Sequence, residues 1–119
     1  MKPTTAVESH LPLPLPVFHM LLALTGGERH GYALKREIRH RTNGKLNLAA
    51  GALYGSINKM LEQGLIEESG ERPDPHLDDE RRRYYRITLL GRRVAQAEAA
   101  RLRELVKLAS ESLSASQLS

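Results

Sequence analysis

The side chains of this chain that could do chemistry are mostly arginine, lysine and histidine, and their spacing decides which chemistry is open to them. Lys and Arg number 18 against 14 Asp and Glu, His numbers 5, and there is no Cys. Without thiolates there is neither a disulfide framework nor a cysteine metal site. The histidines do not replace them: no two show the i, i+3 or i, i+4 spacing of a helical metal site. His30, which opens the run His30-Gly31-Tyr32, instead reads as a structural residue that hydrogen-bonds at the start of a helix. No nucleophile sits in a recognisable elbow, no glycine-rich phosphate loop is present, and the acids cluster only in an expected loop. Catalysis, a cofactor and a bound metal are therefore not expected.

What remains is charge, and it is segregated along the chain. Glu28 to Asn47 holds six bases (Arg29, Lys35, Arg36, Arg39, Arg41, Lys45) against Glu28 and Glu37. Arg81 to Arg93 holds six Arg and no acid, while Glu62 to Glu80 between them carries eight acids and only Arg72. Two cationic blocks around an acidic one favour nucleic acid over a membrane surface or an acidic protein as the partner. Lys59 and Tyr54, with Lys35 or Arg36, are expected to bind phosphates and fix register. Arg81, Arg82 and Arg83 are expected to follow the backbone, although strand alternation lets only some of them face it. Such contacts carry most of the affinity and little sequence information.

The element that would present these groups is Asn47 to Leu65. Its periodicity predicts a helix from about Ala49 to Gln63, capped near Asn47 and closed at Gly64, with Leu53, Ile57, Met60 and Leu61 as the buried stripe. At about 100° per residue, the opposite side holds Gly51, Ala52, Gly55, Asn58, Lys59 and Glu62, with Tyr54 and Ser56 on the flanks. A firm apolar back and a small, flat front suit insertion into the major groove of DNA. Direct base reading looks thin. Ala52 and Gly55 offer close approach or a thymine methyl contact, which leaves Ser56 and Asn58 to hydrogen-bond. Asn to adenine is worth about 1–3 kcal/mol of discrimination, so DNA shape is expected to carry much of the specificity.

The remaining elements follow from period and punctuation. Residues 1–14 are predicted to be a tail, frayed over Met1 to His10 and extended through the prolines of Leu11 to Pro16. A first helix, Pro16 to Leu24, is apolar nearly all round, so both its faces need cover. A second, His30 to Arg41, turns Ala33, Leu34 and Ile38 inward and Lys35, Arg36, Arg39 and His40 outward, and Asn43-Gly44 marks a turn. After Gly64 the period becomes 2: a strand from Leu65 to Ser69, a loop from Gly70 to Glu80, and a return strand from Arg81 to Leu89. On that strand Tyr85, Ile87 and Leu89 point one way and Tyr84, Arg86 and Thr88 the other. Three helices and a hairpin make a winged helix-turn-helix over residues 15–89, a mainly α fold with a small β hairpin (α+β).

Thr88 is the expected cap of a last helix, from about Leu90 to Leu113, followed by a disordered tail, 114–119. On this helix Ala95, Ala99, Leu102, Val106, Ala109 and Leu113 form a seam of about three heptads, and Val94, Leu105 and Leu108 form a second stripe. One Phe, four Tyr and no Trp make a modest core, and such a domain often borrows burial from a second subunit. The seam therefore predicts a homodimer, with a helix folded back on its own domain as the alternative. The seam alanines leave room for a small-molecule effector and equally permit tight packing. Neither a membrane span nor a signal-peptide pattern is apparent, and the cytoplasm is the expected compartment.

At this point the chain resembles the PadR-like family of bacterial transcriptional regulators. The matching pieces are His30-Gly31-Tyr32, Gly51-Ala52-Leu53-Tyr54, Leu61-Glu62-Gln63-Gly64-Leu65-Ile66-Glu67, and Arg82-Arg83-Tyr84-Tyr85-Arg86-Ile87-Thr88 with Gly91. Each alone is weak; together, in order and spacing, they are specific. The single C-terminal helix is similar to the short-tailed branch of that family. The resemblance implies a homodimer joined through the last helix, with the first helix against the partner. It also implies two recognition helices in successive major grooves of a pseudo-palindromic double-stranded operator, usually for repression. The chain departs from the pattern at Ala49-Ala50-Gly51-Ala52, where the family commonly has Ser-Pro-Gly-Thr, in its acidic wing (Asp74, Asp78, Asp79, Glu80), and in lacking Trp for flat drugs. Two readings of the wing acids stand: solvated loop charges, or partners that hold Arg81 to Arg83 until DNA arrives. The rival function is a winged-helix protein–protein module, which would show little salt-dependent binding to random duplex.

Overall fold

A computed structural model describes residues 7–73 and 81–117, with side chains described for 7–70 and 83–115. After a 3-10 turn, Glu8–His10, come α1 (Leu15–Leu24), β1 (Arg29–His30), α2 (Gly31–Arg41), α3 (Ala50–Glu62), β2 (Ile66–Pro73), β3 (Arg81–Ile87) and α4 (Leu89–Gln117). The strands form one antiparallel sheet in the order β1-β3-β2. This is a winged helix-turn-helix. Its core takes Met20, Leu21 and Leu24 from α1, Leu34 and Ile38 from α2, and Leu53, Ile57 and Met60 from α3. Leu65, Ile66, Tyr85 and Val94 close it from the sheet side.

Local chemistry sets most of the boundaries. Pro16 lies in the first turn of α1, where a missing N–H costs nothing. His30 caps α2, its Nδ1 accepting from the Ala33 backbone N–H at 3.1 Å, which is the structural role expected of it. Two helices end in the same paired-carbonyl motif. At the end of α2, Gly44 N–H reaches Arg39 O and Asn43 N–H reaches His40 O. At the end of α3, Leu65 N–H reaches Met60 O and Gly64 N–H reaches Leu61 O. Gly64 can adopt its φ of 75° because it has no Cβ. Thr88 does cap α4: its Oγ1 accepts from Gly91 N–H at 3.0 Å and donates to Gly64 O at 2.6 Å. That hydroxyl joins the end of α3 to the beginning of α4.

Several expectations need correction. The hairpin is a three-stranded sheet, because Arg29 and His30 pair with Tyr85 and Tyr84. The first wing strand runs to Pro73, past the expected Ser69, with its register shifted between Glu68 and Gly70. Helix α3 is capped by the Ala49 backbone with no side-chain bond, not by Asn47. Leu89 is no strand residue; it opens α4 and lies exposed. The stretch 7–14 is packed, not frayed: Leu13 is buried, and Val7 and Leu11 lie against the core. Leu11 and Leu13 supply apolar groups to the core on this side of the domain, while Leu15 is exposed. Helix α4 continues beyond Leu113 to Gln117.

Candidate nucleic-acid interface

Helix α3 divides as its period demands. Leu53, Ile57 and Met60 are buried, while Gly51, Ala52, Gly55, Asn58 and Lys59 are exposed and Ser56 is half-buried. A Cβ built at Gly51 or Gly55 would meet nothing within 4 Å, so this front is open to an incoming surface. Tyr54 behaves differently. It is 43% exposed, yet its ring lies on Gly31 at the start of α2: a Cβ there would fall 2.7 Å from the Tyr54 Oη and 2.9 Å from Cε1 and Cζ.

The basic groups are distributed around this front. Lys35 is half-buried on α2 and Arg36 is exposed, its guanidinium 5.1 Å from the centroid of the Tyr32 ring. That stacking holds Arg36 along the outer face of α2. Farther along, Arg36, Arg39, His40, Asn43 and Gly44 line an open groove of about 470 Å³. Arg39 and His40 were legible as outward residues but not as parts of a concavity. Lys59 sits in the last turn of α3, in a cleft of about 130 Å³ with Ser9, His10, Leu13, Pro14, Val17 and Gln63. Along the helix axis it is about 12 Å from Gly51, so it shares the exposed side with the small residues but not their end of the helix.

On the wing, Arg83 Nε lies 3.4 Å from Glu68 Oε1, and Arg86 Nε lies 2.7 Å from Glu67 Oε1. These four side chains are well exposed, so each pair contributes roughly 0–1 kcal/mol. A polyanion could take either arginine at small cost. The backbones of Arg81 and Arg82 belong to β3, opposite Pro73 and Arg72. The wing acids Asp74, Asp78, Asp79 and Glu80 lie outside the described residues. Among the described residues, Glu67 and Glu68 engage wing arginines, as cross-strand neighbours whose pairing needs the register and not proximity in sequence.

The proposed seam on α4 is split by the fold. Ala95 is 6% exposed and belongs to the subunit's own core; its small side chain lets α4 lie close to the domain, which removes it as a residue for a second subunit. Ala99 and Leu102 are half-buried. Ala109 is exposed, as are Val106 at 64% and Leu113 at 66%, and Leu105 and Leu108 add to the uncovered apolar surface. Between the two regions sits Glu98, 2% exposed. Its carboxylate accepts from Arg101 Nε at 2.6 Å and Nη2 at 3.0 Å. The Arg101 hydrogen bonds hold the Glu98 carboxyl below the usual carboxylate range against the opposing effect of burial, and a backbone hydrogen bond at Leu13 adds to the lowering. Among the described residues, no group of three His, Cys, Asp or Glu could hold a metal ion. None of the described helices is long and apolar enough to cross a membrane.

Comparison with known proteins gives this geometry a context. Residues 20–97 match the profile of the Transcriptional regulator PadR-like family. An uncharacterized protein of Lysinibacillus sphaericus is 31% identical over 90 residues, spanning 72% of this chain and 79% of its own length. A PadR family transcription regulator from Clostridium difficile R20291 superposes with a TM-score of 0.71 at 20% identity, over 84% of this chain and 99% of that one. A transcriptional regulator from Clostridium thermocellum gives 0.68 at 19%, over 91% and 97%. Bacillus subtilis PadR in complex with operator DNA gives 0.61 at 18%, over 76% of this chain and 48% of that protein.

Proposed function

The chain belongs to the PadR-like family of transcriptional regulators, and on that footing we propose that it is a homodimeric, sequence-specific DNA-binding repressor released by a small-molecule or other signal. The observation that carries this reading is the open front of α3. Gly51, Ala52, Gly55 and Asn58 have no packing duty, and a groove-sized partner can approach them without displacing a side chain. Lys35, Arg36 and Arg83 flank that front as phosphate contacts. Arg81 and Arg82 continue the cationic strand. Ser56 and Asn58 read base edges, and shape readout supplies the remainder.

The uncovered half of α4 supports the dimer. Leu105, Val106, Leu108 and Leu113 form an apolar strip that a second copy of the helix would cover. A two-fold pair would set two α3 helices about 34–36 Å apart, one turn of DNA. Bacillus subtilis PadR, solved with operator DNA, is a precedent for such binding in a protein of similar fold. The test is selection of bound fragments from the source genome, followed by titration of the selected and a random duplex across salt concentrations. The reading predicts an inverted repeat and a steep loss of affinity with salt. Binding that ignores salt, or no inverted repeat among the recovered fragments, would overturn it in favour of the protein–protein module.

A further inference from the structure

Tyr54 differs from its neighbours on α3 because its ring turns back onto the domain. The site it touches, Gly31, immediately follows His30. His30 pairs in register with Tyr84 on β3 and meets that ring edge-on, with centroids 5.4 Å apart and planes at 85°. Two elements therefore meet at the Tyr54 ring, the recognition helix and the start of α2, and the start of α2 is in turn tied to β3 through His30 and Tyr84. Leu48 and Leu53 anchor this end of α3 in the core, but its cap makes no side-chain bond and its front carries Gly51 and Gly55, so the Tyr54 ring is the contact that joins it to the start of α2.

We propose that Tyr54 is a positioning residue: its ring, seated on Gly31, sets the angle between the recognition helix and the wing, and so sets which base edges α3 meets when the wing grips the backbone. The contact is steric: Cε1 and Cζ lie as close to the site as the hydroxyl oxygen to within 0.2 Å (2.9 against 2.7 Å), so the ring without its hydroxyl still occupies it. The inference rests on the DNA-binding reading for its consequence but not for its geometry. A contact of this kind acts on discrimination, because α3 can still lie in a groove at a wrong angle while phosphate contacts persist.

The experiment compares wild type with Tyr54→Phe, Tyr54→Ala, Gly31→Ala and the double variant Gly31→Ala/Tyr54→Ala. The orientation of α3 relative to the sheet is read from amide residual dipolar couplings, and affinity from titration of the genome-selected and a random duplex. A methyl at Gly31 falls within 3 Å of the ring, and the half-exposed ring has room to swing outward, so that variant keeps its fold while losing the contact. Tyr54→Phe should keep the wild-type orientation of α3 and the wild-type selected-over-random ratio, and the loss of a phosphate contact by the hydroxyl should lower affinity for both duplexes alike. Tyr54→Ala and Gly31→Ala should reorient α3 and lower the selected-over-random ratio roughly tenfold, about one good base contact, while random-duplex binding falls no further than it does in Tyr54→Phe. Gly31→Ala should have no further effect once Tyr54 is Ala. An unchanged α3 orientation in both single truncations overturns the proposal, as does a Tyr54→Phe variant that loses as much discrimination as Tyr54→Ala. If Tyr54→Ala fails to fold, Tyr54→Phe and Gly31→Ala reach the same decision. Wild-type protein that binds no duplex at low salt would remove the DNA reading, and the orientation data would still decide the role of the ring.

Discussion

Single residues carry separable duties in this molecule. Lys59 makes no ion pair among the described residues and stands at the far end of the exposed α3 side, a position suited to one phosphate and no base. Replacing it with Ala should weaken binding to every duplex and lower the salt slope by about one per subunit; relaxed preference at one base pair with an unchanged slope would refute that role. Gly91 has the opposite kind of duty. A Cβ there would run into the Leu65 carbonyl oxygen and lie 2.8 Å from Ile87 Cγ1, and neither neighbour is a free side-chain end. Gly91→Ala should cost about 1–3 kcal/mol of stability, measurable by urea denaturation. Glu98 contributes through its charge. Its folded pKa is lowered, so its stabilisation is complete above the unfolded carboxyl pKa of about 4.3 and is lost as pH falls through the folded value. Glu98→Gln should therefore cost about 1–3 kcal/mol at neutral pH and flatten the acid limb of the stability–pH curve below about pH 4.5. An equally steep acid limb in that variant would show that other carboxylates dominate it.

At the level of elements, α4 is two helices in one. Its first half is closed against α1 and the 7–14 segment, and its second half is exposed among the described residues. Charging the second half, with Val106→Glu and Leu113→Glu together, should leave the domain folded and produce a monomer by sedimentation equilibrium. A dimer that survives both changes would put the interface elsewhere. The sequence made much of this legible, and physical reasons separate what was from what was not. Local signals were readable because they act within one turn of chain: the α3 stripe, the His30 and Thr88 caps, and the closing Gly64. The two-residue β1 was not readable, because its identity depends on Tyr84 and Tyr85 arriving beside it from more than fifty residues away. Ala95 misled because heptad spacing looks the same whether the partner is another subunit or α1. The Leu11–Leu13 segment misled because proline alternation hides apolar groups from any helical or strand period. Tyr54 was placed on the correct flank, but nothing in α3 itself shows that Gly31 is its seat.

For the whole molecule, the pieces that would touch DNA and the piece that would recruit a second copy are far from each other yet share one framework. Arg83 and Arg86 are exposed on opposite faces of β3, and a polyanion meeting either one competes with Glu68 or Glu67 for it. The exchange should make affinity more salt-sensitive when the acids are neutralised: Glu67→Gln with Glu68→Gln should tighten binding to random duplex at low salt by several-fold. A titration showing no change would mean that neither arginine reaches the backbone. The Thr88 hydroxyl gives this arrangement a mechanical side. One oxygen bonds the peptide just past the end of α3 and the opening turn of the long tail helix, and the Thr88 N–H adds a bond to Leu65 O, so a twist of the tail has a short hydrogen-bonded route to the chain at Gly64 and Leu65.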